Sequence, residues 1–318
     1  MRTLVIHISV PKSYVDEIRT MMPDGWKVVQ TFKGDKNVEL LRQAEILVGW
    51  SSESARACLE EGAKLRWVHS WAAGVESMPL DEFAKRGIIL TNSSGVHGQP
   101  ISETIFALML SLTRGVHMNV RNQVQRLWKA NASMREMHGK TVGILGTGVI
   151  GSETAKIAGA FDMTVIGMRR SGGSLPGFDE IVDASGLEYL VSRSDYIVNT
   201  LPLTKETKHL IDGSVFAMMK RGAFYINIGR GGTTDTDALI EALRNGQLAG
   251  AGLDVFEEEP LPGPSPLWDM ENVIIVPHES GMTEHYDRRA TDILVAGLKD
   301  YLEGREPSVS LVDLQLGY

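Results

Sequence analysis

Cysteine is almost missing from this chain. Cys58 is the only one in 318 residues, so no internal disulfide can form, and a reducing cytoplasm is the expected compartment. A cationic excess is missing too. Lys and Arg number 32 against 40 Asp and Glu, a formal charge of −8, which leaves no electrostatic reason to expect nucleic acid or an anionic membrane as partner. Long apolar runs are absent: the most apolar helical stretch, residues 101–112, carries Ser102, Glu103 and Thr104 and is too short and too polar to span a bilayer. The opening MRTLVIHISVPKS has neither the apolar core nor the small-residue cleavage site of a signal peptide and reads as a first strand. No H-E-x-x-H or C-x-x-C occurs, and His7, His69, His97, His117, His138, His209 and His285 lack ligand spacing, so no metal is expected.

What is present fits an α/β enzyme of two doubly wound parallel-sheet domains. A chain of 318 residues exceeds the usual limit of one hydrophobic core, and 43% apolar residues are enough to fill two. Strand-like runs at residues 4–8, 28–31, 46–50, 65–68 and 88–91, with helical stretches between them, make a first small sheet. NSSGVHGQP breaks the pattern, and Pro100 stands in the first turn of a helix expected to run to about residue 128. A second series follows at 141–145, 163–168, 196–201, 223–228, 250–255 and 273–276, six strands in all. The tail from residue 284 reads as a helix to 302 that packs back on the first domain. The expected domains are therefore 1–98 with 285–318, and 99–284. Trp50 and Trp71 fall at or near strand ends, where core packing is the expected role.

KTVGILGTGVIG joins an apolar strand to a helix through Gly146, Gly148 and Gly151. Such a turn lets backbone approach a pyrophosphate and aims the helix N-terminus, with its unpaired N–H groups, at the phosphates. About 20 residues beyond the glycines, a dinucleotide site selective for NAD carries an acid for the ribose 2′-hydroxyl. This chain has Arg169, Arg170 and Ser171 there. An acid would repel a 2′-phosphate, whereas guanidinium groups bind it through charge-assisted hydrogen bonds, so NADP(H) is the expected cofactor.

Three motifs follow successive strands of the second series. INIGRGG places Arg230, LDVFEEEP places Glu259, and VPHESG places His278. The carboxyl ends of strands in an open α/β sheet are where ligands bind. An anion clamp, a carboxylate and a proton donor together are what hydride reduction of a keto acid requires.

The order G-x-G-x-x-G, LPLTKET, NIGRG, LDVFEEEP and PHESG resembles the D-2-hydroxyacid dehydrogenase family over nearly the whole chain. The resemblance implies a flavodoxin-like substrate domain formed by both chain ends, a Rossmann cofactor domain inserted between them, and a homodimer built on the cofactor domains. It implies catalytic roles for Arg230, Glu259, which precedes Pro260, and His278, which follows Pro277; the 19-residue separation of Glu259 and His278 matches family members. Glutamine at the Glu259 position would mark a formate dehydrogenase, so that activity is not expected. Cofactor contacts fall on Gly146, Gly148, Val149, Ile150, Gly151, Arg169, Arg170, Ser171, Leu201, Pro202, Thr207, Ile228, Gly229, Asp254 and Ser280, with Asp254 facing the nicotinamide carboxamide. The substrate carboxylate falls to Arg230 and to backbone N–H groups of WAAGVES, at Ala73 and Gly74, with His278 at the carbonyl. TNSSGVHGQPISE is similar to a subgroup of NADP-preferring members. The resulting expectation is an NADPH-dependent reductase of small 2-oxo acids, giving D-2-hydroxy acids, in which His278 donates the proton and Glu259 keeps it charged and oriented. The transcriptional corepressors similar to this family define the alternative, a nucleotide-sensing binding protein that acts through peptide-binding surfaces.

Overall fold

The computed structural model describes residues 1–32, 37–75, 77–130 and 134–316. Cα packing divides the chain into a unit of residues 1–96 with 283–318 and a unit of residues 97–282; the expected divisions were 98/99 and 284/285.

In the first unit, β1 (Arg2–Ile6), β2 (Trp26–Gln30), β3 (Ile46–Val48), β4 (Trp67–His69) and β5 (Ile89–Thr91) form one parallel sheet in the order β2-β1-β3-β4-β5. This is the flavodoxin-like order. Leu4, Val5 and Ile6 are all fully buried, as consecutive apolar residues must be when helices cover both faces of a sheet. β3 is shorter than expected because Gly49 follows it at φ 87°, a conformation that ends an extended strand. The C-terminal helix Tyr286–Leu302 belongs to this unit, with Leu294 and Leu298 buried in one cluster with Trp67.

In the second unit, β6 (Thr141–Leu145), β7 (Thr164–Met168), β8 (Glu180–Val182), β9 (Tyr196–Asn199), β10 (Ala223–Asn227), β11 (Leu248–Leu253) and β12 (Val273–Ile275) form a seven-stranded parallel sheet ordered β12-β11-β10-β9-β6-β7-β8. Strand order reverses between β6 and β9, the crevice where open α/β sheets bind ligands. Six strands were expected here, and β8 corrects that count. It is a three-residue edge strand with no fully buried residue, too short and too exposed to leave an apolar pattern.

The long helix expected from Pro100 to about 128 is also corrected, to Gly98–Thr113 and Val116–Val124. Gly115 takes a left-handed conformation at φ 63°, which closes the first helix and redirects the chain.

Candidate active site

The glycine turn has the shape its spacing predicts. Gly146 sits at φ 97°, and a Cβ there would crowd the Thr200 hydroxyl oxygen at 2.7 Å. A Cβ on Gly151 would overlap the carbonyl of Gly146, so helix and turn touch backbone to backbone. Around Gly148 a Cβ would meet no atom within 4 Å. That open side is the cradle a pyrophosphate needs. The helix Val149–Ala160 starts from Gly148 without a side-chain cap, leaving the first-turn N–H groups of Val149, Ile150 and Gly151 directed outward from the helix end. The residues present thus fit a dinucleotide.

β7 lies beside β6, and its carboxyl end leads into Arg169, which is half-buried, and Arg170 and Ser171, which are exposed. Arg170 lies within electrostatic reach of Glu206 in the LPLTKET loop. The Glu206 carboxyl is held below its usual range by the Thr204 hydroxyl, then by its own N–H, then by Arg170.

The LPLTKET loop follows β9 and closes on itself where the Thr207 hydroxyl donates to the Pro202 carbonyl at 2.6 Å. Thr200 ties it to the glycine turn, its hydroxyl lying 2.9 Å from both the Leu145 and Gly146 carbonyls. Leu201 and Ile228 are core side chains, so contacts they make with a ligand fall to their backbone. Gly229 has no room for a Cβ against the Leu201 backbone, which seats the Arg230 loop on the LPLTKET loop.

Arg230, Glu259 and His278 follow β10, β11 and β12. The Arg230 guanidinium donates to the Gly229 carbonyl at 3.0 Å. Glu259 divides its carboxylate: Oε1 accepts the Phe256 N–H at 2.9 Å, and Oε2 lies 2.7 Å from His278 Nδ1. With Nδ1 held by the carboxylate, Nε2 is the nitrogen left to face a substrate. The His278 side chain keeps about half its surface, 49%, in solvent. Its backbone is left-handed at φ 53°, a conformation that costs a non-glycine residue about 1–3 kcal/mol and marks a site where surrounding contacts override local preference. Asp254, buried to 1%, supplies those contacts: Oδ1 accepts the N–H groups of Glu279 and Ser280 at 3.0 and 3.2 Å, and Oδ2 accepts the Ser280 hydroxyl. Asp254 and Ser280 therefore shape the turn that presents His278.

In the first unit, Ala73 and Gly74 follow β4. Their loop is fastened by its carbonyls, Ala73 O accepting from Asn92 Nδ2 at 2.7 Å and Ala72 O from Ser70 Oγ at 2.9 Å. Among the described residues no hydrogen bond engages the N–H of Ala73 or Gly74. Glu76 of the same motif lies outside the described residues. Trp50 packs edge-on against Phe83 at 5.0 Å, and Trp71 donates its indole N–H to Asp287 at 3.3 Å.

Sequence reasoning missed the residues that build these loops. Asn199 and Asn227, buried at the ends of β9 and β10, each accept the N–H two residues on, at 3.1 Å, and donate to Thr233 and Thr234 respectively. The signal was an asparagine ending each of two neighbouring apolar strands. His209, set aside for want of ligand spacing, also belongs to the loop framework.

The family model described as D-isomer specific 2-hydroxyacid dehydrogenase, NAD binding domain, matches residues 106–280. A glyoxylate/hydroxypyruvate reductase B of Pectobacterium carotovorum is 37% identical over 81% of this chain and 83% of that protein. A glyoxylate reductase of Pyrococcus horikoshii is 36% identical over 75% and 74%. A D-3-phosphoglycerate dehydrogenase of Methanocaldococcus jannaschii is 33% identical over 84% of this chain, which spans about half, 51%, of its length. Among solved structures, a D-isomer specific 2-hydroxyacid dehydrogenase family protein from Aeromonas salmonicida matches with TM-score 0.85, 34% identity and coverage of 98% and 99%. One from Xanthobacter autotrophicus, in complex with NADPH and MES, matches with TM-score 0.84, 28% identity and coverage of 100% and 99%. An NADPH-dependent glyoxylate/hydroxypyruvate reductase from Sinorhizobium meliloti, in complex with NADP and sulfate, matches with TM-score 0.81, 28% identity and full coverage of both chains.

Fold and site define a nicotinamide-dependent α/β oxidoreductase. Within that class, the chain belongs to the D-isomer specific 2-hydroxyacid dehydrogenase family.

Proposed function

We propose that this protein reduces small 2-oxo acids to D-2-hydroxy acids with NADPH. The observation that carries the reading is the Glu259–His278 pair, 2.7 Å apart, following β11 and β12, which come next in the sheet after β10, the strand that leads to Arg230. Gly146, Gly148 and Gly151 with the first turn of the helix Val149–Ala160 would hold the pyrophosphate of NADPH, Arg169, Arg170 and Ser171 its 2′-phosphate, and Pro202, Thr207, Gly229, Asp254 and Ser280 the rest of the molecule. When bound, the reduced nicotinamide supplies hydride to the substrate's carbonyl carbon. Arg230 binds the 2-oxo acid through its fork of N–H donors, polarising the carbonyl and holding the carboxylate, and the N–H groups of Ala73 and Gly74 are the further donors proposed for the carboxylate. His278 gives the proton on Nε2 to the carbonyl oxygen, and Glu259 fixes the imidazole through Nδ1. The NADPH preference rests on Arg169 and Arg170 and on the NADP complexes of the Xanthobacter and Sinorhizobium relatives.

We further propose that the expected homodimer forms through the second unit. Val116, Val120 and Val124 recur every four residues on the helix Val116–Val124 and are exposed, as are Leu127 and Trp128 beyond it. An apolar stripe of this kind on a helix face is what a second copy would cover.

The test is a substrate panel of glyoxylate, hydroxypyruvate and a branched 2-oxo acid, read by NADPH absorbance against NADH. Turnover faster with NADPH, and faster on pyruvate than on pyruvamide, is expected; no turnover on any of the acids overturns the reading. Sedimentation of wild type and Val120→Glu tests the dimer, which the charge should dissociate.

A further inference from the structure

The loops that carry Arg230, Glu259 and His209 meet at the peptide between Phe256 and Glu257. The Phe256 N–H fixes Glu259 Oε1 at 2.9 Å. A Cβ on Gly231, next to Arg230, would overlap the Phe256 carbonyl group, so the Arg230 loop lies against the same peptide with nothing between them. Glu257 anchors the peptide from its other side: Oε2 accepts the N–H of Thr236, at the start of the helix Thr236–Arg244, at 2.8 Å, and Oε1 lies 2.5 Å from His209 Nε2.

His209 in turn holds two loops. Its imidazole meets Glu257 in the loop of Glu259, and its own N–H donates to Gly232 O, in the loop of Arg230, at 2.9 Å. It does so from a left-handed backbone at φ 50°, two residues beyond Thr207 of the LPLTKET loop. Asn, Asp and His are the non-glycine residues that most often take that conformation.

We propose that His209 and Glu257 are positioning residues that hold Arg230 and the Glu259–His278 pair in register with the cofactor loop 201–207. The inference rests on the function proposed above. Neither residue touches the reacting atoms; each acts through Phe256 and Gly232 on the groups that do. The Glu257 carboxyl agrees with an anchored role: burial pushes it up, but its bonds to Thr236 and His209 outweigh burial and hold it below the usual range.

The test uses the full chain with NADPH and whichever of glyoxylate or hydroxypyruvate the wild type reduces. Glu257→Ala and His209→Asn, the latter keeping the left-handed backbone but too short to reach Glu257, should each lower kcat about tenfold, since small misplacements of catalytic groups carry costs of that order or more. Substrate KM, NADPH affinity by fluorescence and Tm should stay near wild type. The solvent deuterium isotope effect on kcat should rise, because proton transfer from a misaligned His278 becomes more rate-limiting. Glu257→Gln, whose amide oxygen still accepts from Thr236, should recover most of kcat, and the double variant should be no slower than either single one. Wild-type kcat in Glu257→Ala or His209→Asn, a loss with an unchanged isotope effect, or multiplying losses in the double variant would overturn the inference. His278→Ala is measured alongside: if it remains active the catalytic reading itself fails, and if it is dead while Glu257→Ala is normal only the positioning role fails.

Discussion

Each unit places a histidine at or just beyond the end of a parallel strand, with opposite consequences. In the first unit His69 closes β4 and is 1% exposed. Nδ1 lies 2.8 Å from the Thr91 hydroxyl, which also accepts the Trp67 indole N–H at 2.9 Å, and among the described residues no charged group compensates the burial. Burial pushes the His69 pKa down to about 3, so the ring stays neutral. In the second unit His278 follows β12, is half exposed and meets a carboxylate at 2.7 Å. A strand end places a histidine near a ligand crevice; solvent access and a charged partner decide whether it can exchange protons there.

The largest expected effect is at His278. His278→Ala should lower turnover about 10²–10⁴-fold, the range for loss of a general acid–base group, while NADPH fluorescence titration shows nearly unchanged affinity. His69→Gln in the same assay should keep activity within about threefold, as substitution of a neutral packing residue should. Comparable losses in the two variants would break the contrast between the units.

Next comes the basic end of β7. Arg169→Asp removes one or two charge-assisted bonds worth about 1.5–3 kcal/mol each and adds repulsion. kcat/KM for NADPH should fall more than tenfold with NADH much less affected; a wild type that prefers NADH defeats the assignment.

His69 makes a smaller prediction about stability. Its pKa is about 3 when folded against an ordinary 6.5, so below 6.5 the unfolded chain binds a proton the folded one refuses. Its contribution is fully present above 6.5 and drains away as pH falls toward 3. Thermal melts from pH 7 to pH 4 should therefore show a declining Tm, and His69→Gln, neutral throughout, should decline less steeply. Parallel declines would show that other groups set the acid limb.

The mildest test concerns Cys58, buried in the first unit, with burial pushing its thiol up to about 12. A thiol reagent should label native protein far more slowly than protein in denaturant. Rapid labelling of native protein would mean that this core opens easily.

The glycine turn was legible because glycine leaves a chemical record: Gly146 and Gly151 stand where a Cβ would collide, so their spacing alone implied the turn. The strands were legible wherever both faces are buried, since consecutive apolar residues mark them. β8 and the break at Gly115 were not, because a short exposed edge strand buries no apolar face and a lone glycine does not by itself end an apolar helical pattern.

The run EEE at 257–259 shows where sequence stopped. Its three glutamates are chemically identical, and only the resemblance to a family, through the proline that follows, singled out Glu259. Tertiary structure separates them. Glu257 turns to His209 and Thr236, Glu259 to Phe256 and His278, and Glu258 bonds to nothing among the described residues. Sequence determined that a dinucleotide turn, a basic strand end and three chemically able side chains exist on one sheet, because local backbone sterics and apolar patterning are written residue by residue. Which carboxylate meets which imidazole depends on loops 19 and 48 residues apart in the chain arriving within 3 Å of one another, and only packing of the whole sheet decides that.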